Sequence, residues 1–210
     1  MKHNPRRMLE NDACLQERDR LYRENGYDSS ESGRYVLKRT GRLSGRVLEI
    51  GTGKGRFLVQ LARKASRVVT VDPNAGEQKF AKLNTAHKRV RHKIRFVVAD
   101  GADLPFADAS FDAVVSVNAL HHIHNLRGVL REVLRVIKPN GKIVLSDFNA
   151  HGFRIMDRIH RAEGRTHEHV RYDVASIIGL FRRNGWRVAR SSGCCQQVLV
   201  ATRDGQAREQ

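Results

Sequence analysis

The sequence predicts an α/β fold built on a doubly wound sheet, and three observations predict it. From residue 46 onward, short Val- and Ile-rich runs alternate with longer segments whose apolar residues recur at three- and four-residue steps. The short runs are mostly apolar, the pattern of strands covered on both faces. The first of them, in "VLEIGTGKGRF" at residues 47–57, runs straight into a glycine-rich turn. Such alternation implies parallel strands joined by right-handed crossovers, with ligands at the carboxyl ends of the strands.

The elements follow in order. Residues 1–25 read as a polar helix with few apolar positions (Met8, Leu9, Leu15, Leu21 and Tyr22). "GYDSSESGR" supplies turn and N-cap residues before a short helix at residues 34–39. Next come the strand "RVLEI", the helix "GRFLVQLARKA", the strand "RVVTVD", the helix "AGEQKFAKLNTAHKR" and the strand "IRFVVAD". "FDAVVSV" and "GKIVLSDF" are strands on either side of a helix at residues 127–138. Leu126, Val129, Leu130, Val133, Leu134 and Ile137 form one apolar stripe there, and "KPNGK" is expected to end the helix with a proline and a glycine.

At 210 residues the chain suits one compact domain with appendages. No apolar run approaches the roughly 20 residues that span a bilayer. The basic N-terminus lacks the apolar core of a signal peptide, so the expected location is cytoplasmic. Three cysteines, two of them adjacent at Cys194-Cys195, make neither a disulfide framework nor a zinc spacing. Charge is the unusual total: 39 Lys and Arg against 22 Asp and Glu, a formal +17. A field of that sign favours anionic partners, from nucleic acid to carboxylated or phosphorylated small molecules. The excess is spread along the chain, which weakens the case for a dedicated nucleic-acid tail.

Gly51, Gly53 and Gly55 form a G-x-G-x-G turn with Arg56 where a dinucleotide fingerprint wants its third glycine, and the Lys-Ser/Thr of a P-loop is absent. The turn alone says that backbone comes close to a ligand and that the next helix presents N–H groups. The acids say more. Asp72 ends the second strand, where a carboxylate accepts from both hydroxyls of a ribose. Asp100 ends the third, where a carboxylate suits an adenine amino group, the Gly101 N–H a ring nitrogen, and Leu104 a cover for the base.

At these residues a resemblance emerges. "VLEIGTGKGRF", "VVTVD", "VVADGADLPFADASFDAVVS", "NALHHI" and "LREVLRVIKPNGKIVLSDF" resemble, in order, the motifs of class I S-adenosylmethionine-dependent methyltransferases, most of all the type 11 subgroup of ubiquinone/menaquinone-biosynthesis C-methyltransferases. The resemblance covers residues 43–148. It implies a Rossmann-like, doubly wound seven-stranded sheet whose last hairpin, "WRVARSS" and "QQVLVATR", inserts an antiparallel final strand. It implies S-adenosyl-L-methionine as cofactor, held by Glu49, Gly51, Thr52, Gly53, Gly55, Asp72, Pro73, Asp100, Gly101, Ala102 and Asn118. By the family pattern Glu49 fixes the glycine turn and lies near the methionine amino group, Asp72 takes the ribose and Asp100 the adenine amine. Pro73 is a departure, standing where the family usually has a longer apolar residue. The implied organisation is a helical cap (residues 1–42), the cofactor-binding core (43–150), a substrate-side helical insertion (151–172), and a C-terminal helix and β-hairpin (173–210).

The tip of the fourth strand, "SVNALHHIHN", faces the reacting methyl in this architecture. Its candidates are Ser116, Asn118, His121 and His122, with either histidine suited to take a proton near neutral pH. Their plainer reading is as packing residues opening a helix. Neither the N-P-P-Y-type tetrad nor the Pro-Cys of nucleic-acid base methylation is present, so a small-molecule acceptor, anionic or aromatic, is favoured over RNA or protein, and over a binding module without catalysis. Arg154, Arg158, Arg161 and Arg165 share one helical stripe that suits a carboxylate or phosphate. A solvated basic face is the plainer reading. Tyr22, Tyr27 and Tyr172 are candidates to close the site. His160, His167, Glu168 and His169 have weak ligand spacing, and no metal is expected.

Overall fold

The computed structural model describes residues 4–166 and 169–203. Five strands, β1 (Arg46–Ile50), β2 (Arg67–Asp72), β3 (Ile94–Val98), β4 (Phe111–Val117) and β5 (Ile137–Phe148), run parallel. β6 (Arg187–Gly193) and β7 (Gln196–Thr202) form a hairpin, and β7 pairs antiparallel with both β5 and β6. The order is β3-β2-β1-β4-β5-β7-β6, the Rossmann-like seven-stranded sheet with a reversed final strand that the resemblance implied.

The pleat sorts alternate residues onto two cores. Leu48, Ile50, Val69 and Val71 face one side, where they meet Val129, Val133 and Phe181 of the helices α5 (Leu126–Val136) and α7 (Val174–Arg183). Val47 and Val68 face the other, against Val36 of α2 (Ser29–Thr40) and Leu58 and Leu61 of α3 (Arg56–Lys64). Burying a Leu side chain of this kind stabilises the fold by about 1.5–3 kcal/mol. A third cluster roofs the carboxyl ends of the strands. There Tyr27 and Phe148 pack with Ile155, Met156 and Ile159 of α6 (Ala150–Ala162), and Leu21 and Tyr22 of α1 (Pro5–Glu24) close against them. α4 (Ala75–His87) connects β2 to β3. No helix among the described residues is long and apolar enough to cross a membrane.

Three elements differ from expectation. α2 begins at Ser29, because the Asp28 carboxylate caps the Ser30 and Glu31 N–H groups (2.7 and 2.9 Å) and the next residues continue directly as helix. The histidines of "ALHHI" sit in a single 3-10 turn, Leu120–His122. α5 ends at Val136 rather than Lys138, since Ile137 pairs with Phe111 and is already strand. The next pair is Ala113 with Lys142, so residues 138–141 bulge out of β5, where the missing N–H of Pro139 costs no ladder bond.

Candidate active site

The glycine turn is held by the neighbouring strand: the N–H groups of Gly51 and Thr52 donate to the Val71 carbonyl (2.9 and 3.3 Å). Gly51 has φ +91°, and a Cβ there would lie 2.5 Å from that of Ala119. Gly53 has φ +47° and nothing within 4 Å of a built Cβ, so its face is open to a ligand. Such backbone is steep for any residue with a side chain. Gly55 starts α3 in the left-handed region.

Asp72 is buried at the end of β2, where Oδ2 accepts from the Gly53 N–H and Oδ1 from that of Asn74, each at 2.8 Å. It therefore ties the glycine turn to the start of α4. Asp100 is exposed two residues beyond β3 and accepts from the Ala102 N–H (2.8 Å). Glu49 lies on the α3 side of the sheet, 1% exposed. It accepts from Thr70 Oγ1 (2.5 Å), and Thr70 Oγ1 in turn lies 2.7 Å from Thr52 Oγ1, so a buried relay joins the carboxyl to the turn. Burial raises the Glu49 pKa to about 8; the Thr70 hydrogen bond opposes this and the Asp72 charge adds to it.

Two hollows meet at the strand tips. The larger, about 670 Å³, is lined by Gly51, Gly53, Asp72, Pro73, Glu77, Asp100, Gly101 and Ile123, among others. The smaller, about 290 Å³, lies under the roof and is lined by Tyr22, Tyr27, Thr52, Lys54, Arg56, His121, Phe148, Met156 and His160, among others. Gly51, Gly53, Asn118 and His122 line both and form the wall between them. Charge changes across that wall. Among the described residues, the larger hollow has three carboxylates (Asp72, Glu77, Asp100) and no Lys or Arg, whereas the smaller has Lys54 and Arg56 and no carboxylate.

Asn118 stands at the wall with φ +53°. Its Nδ2 donates to the Tyr27 hydroxyl (3.2 Å), while its buried Oδ1 has no hydrogen-bond partner. Burial drives the Tyr27 pKa upward, so the phenol stays neutral. Its ring meets Tyr22 and Phe148 edge-on at 5.6 and 5.3 Å. His121, 2% exposed, has Nδ1 2.6 Å from Asp147 Oδ1, and its backbone N–H donates to Asp147 Oδ2 (2.9 Å). Asp147 also accepts from the Phe148 N–H (2.9 Å) and from the Tyr172 hydroxyl; burial, then the Asp147 charge, raises the pKa of Tyr172.

Several candidates are not brought to these hollows. Arg154 and Arg158 lie on the exposed face of α6, where apolar Ile155, Met156 and Ile159 claim the inner face; Arg158 Nη2 donates to the Asn25 carbonyl (2.6 Å). Ser116 donates to the Ile50 carbonyl (2.9 Å). Leu104 belongs to the core rather than covering a base, its N–H bound to Glu132. Cys194 and Cys195 form the β6–β7 turn, both at positive φ. His167 and Glu168 lie outside the described residues. Asp147 was missed, and the signal for it was a lone carboxylate closing the apolar run "KIVLSDF".

Comparison with known proteins agrees with this architecture. A methyltransferase-domain family matches residues 48–145. The chain is 34% identical over 146 residues to the 27-O-demethylrifamycin SV methyltransferase of Amycolatopsis mediterranei (62% of this chain, 53% of that one). It is 37% identical over 117 residues to the demethylmenaquinone methyltransferase of Renibacterium salmoninarum (55% and 47%). The chain thus spans about half the length of these curated relatives. The YcgJ protein of Bacillus subtilis aligns with a TM-score of 0.63 at 26% identity, over 78% of this chain and 71% of that one. A methyltransferase structure from Aquifex aeolicus shares the fold over 95% and 98% (TM-score 0.64, 21% identity). Residues 48–145 thus match a methyltransferase-domain family, and their strand order and motif order are those that the resemblance to class I, S-adenosylmethionine-dependent methyltransferases implied.

Proposed function

We propose that the chain binds S-adenosylmethionine in the larger hollow and methylates a small anionic or aromatic acceptor in the smaller one. The change of charge across the shared wall carries this reading. On a chain of net +17, an acid-lined hollow without Lys or Arg favours a cationic ligand over a dinucleotide pyrophosphate. Its volume suits a nucleoside with an amino-acid tail. The open face at Gly53 and the unpartnered Asn118 Oδ1 also fit a ligand that approaches backbone and brings its own donors. In this reading Asp72 receives the ribose hydroxyls, Asp100 and the Gly101 N–H the adenine edge, and Glu49 steadies the glycine turn through Thr70 and Thr52.

When bound, the cofactor supplies a methyl group already activated on a sulfonium sulfur. Alignment is then the main task of the protein, worth up to about 7–11 kcal/mol. The wall of Gly51, Gly53, Asn118 and His122 sets the line between the two partners. Tyr22, Tyr27 and Phe148 offer ring faces and edges to an aromatic acceptor. Asp147 holds the Nδ1–H of His121, the tautomer in which Nε2 takes a proton from the acceptor. The named acceptors of the two relatives, a rifamycin and a demethylmenaquinone, are small molecules, which supports the same class here.

Calorimetry with S-adenosylmethionine, S-adenosylhomocysteine and NAD tests the first half, and mass-spectrometric screening of phenolic and carboxylated acceptors the second. NAD binding more tightly than the methyl donor would overturn the reading.

A further inference from the structure

Gln196, the first residue of β7, is completely buried and lines the smaller hollow but not the larger. Its Oε1 accepts from the Ser146 hydroxyl (2.8 Å), while its buried Nε2 has no hydrogen-bond partner among the described residues. We propose that Gln196 is a specificity-determining residue of the acceptor cavity, whose amide N–H groups receive a carbonyl or hydroxyl oxygen of the molecule to be methylated. The proposal rests on the acceptor reading above and narrows its substrate class to molecules that carry such an oxygen away from the methylated atom.

Unused donor capacity is the first reason. A primary amide carries two N–H donors beside its oxygen, and holding Ser146 uses the oxygen alone. A buried donor without a partner costs stability, and native structures keep few of them. An apolar side chain would meet a purely structural need at this place: Val198, two residues along the same face of β7, belongs to the core. Two buried, unpartnered side-chain atoms belong to residues that line the smaller hollow, Asn118 Oδ1 and Gln196 Nε2. Asn118 stands in the wall and borders both hollows, whereas Gln196 borders the acceptor side alone. The oxygen it receives is therefore set back from the donor.

Orientation is the second. β7 is paired on both sides, with Phe148 and Gly193 opposite Gln196. The turn before it is fastened to α2 and to the cap of α6: the Ser32 hydroxyl donates to the Cys194 carbonyl (2.6 Å), and the Asn149 N–H to the Cys195 carbonyl (3.0 Å). With Oε1 held by Ser146 as well, the amide keeps one end for a ligand and loses little freedom when it binds. A site built to hydrogen-bond an oxygen rejects an analogue that lacks it, which makes this amide a selector rather than a mere contact. Residue 196 also lies outside the stretch that matches the methyltransferase-domain family, where a feature that selects the acceptor has no need to be shared.

The test uses the full chain saturated with S-adenosylhomocysteine and two ring probes of like shape, acetophenone and α-methylstyrene, in which a methylene group replaces the carbonyl oxygen. We expect the wild type to prefer acetophenone, and Gln196→Met, which keeps the length and loses both N–H groups, to lower that preference about tenfold. The side-chain amide NMR signals of Gln196 in the wild type should move with acetophenone and stay in place with α-methylstyrene, a response that packing alone does not give. S-adenosylhomocysteine affinity should be the same in both proteins and reports that the variant is folded; where it is not, the wild-type amide signals decide. A preference that survives Gln196→Met, amide signals indifferent to acetophenone, or a wild type that binds neither probe overturns the assignment while the donor site stands. A wild type that fails to bind S-adenosylhomocysteine strikes the preceding reading instead.

Discussion

The two hollows, donor and acceptor sides in the reading proposed, share four residues but are made of different material. On the donor side, backbone and short side chains do the shaping: Gly51 and Thr52 hang from the Val71 carbonyl, and Asp72 grips two N–H groups. All of this sits on parallel strands whose register leaves little freedom. On the acceptor side, side chains from α1, α2, α6 and the tips of β4 and β5 converge from segments far apart in sequence. One half is a property of the sheet, and the other a property of how helices were laid over it. The donor half should therefore tolerate changes in the roof, and the acceptor half changes in the turn.

The largest expected effect is at His121. His121→Ala should lower kcat by about 10²–10⁴-fold while donor affinity holds, measured by single-turnover kinetics and calorimetry. Asp147→Asn should also lower the rate, because it disturbs the tautomer rather than removing the ring. A parallel loss of donor binding would dissolve the distinction between the halves. Next is Asp72→Ala, expected to weaken the donor about 10–100-fold by calorimetry, with acceptor binding preserved.

Glu49 sharpens the comparison through pH. Its folded pKa of about 8 stands above the ordinary 4.5, so the folded protein binds the proton more tightly than the unfolded chain. That contribution is fully present below about 4.5 and is lost as pH rises through about 8. Urea unfolding of the ligand-free protein should show stability falling by on the order of 4–5 kcal/mol across that span, and Glu49→Gln should remove the fall. Smallest of all is Arg158→Ala, an exposed strut to the Asn25 carbonyl: a loss below about 1 kcal/mol in stability and no change in acceptor KM.

How legible each half was follows from the same contrast. Strand runs, the glycine turn and the acids at the ends of β2 and β3 are local patterns, readable without knowing what lies across from them. The partner of Ile137 is not local: only Phe111 waiting on β4 turns the last residues of the expected helix into strand. Nor is the role of Leu104, which resolves into core packing once α5 is in place. The arginine stripe was read correctly as a stripe, but which face of α6 turns inward is decided by Ile155, Met156 and Ile159 meeting Tyr27 and Phe148. Asp147 shows the same limit, since its meaning depends on His121, 26 residues away in the chain.

The passage of α5 into β5 without an intervening loop has one more consequence. Ile123 and Asn125, which line the larger hollow, stand just before α5, and Val129 lies within it, on a helix that passes directly into a central strand. Over the other chamber, α1 meets the end of α6 through the Arg18–Glu163 clasp. This clasp is held by charge, so rising ionic strength should loosen it and alter turnover while leaving donor capture indifferent.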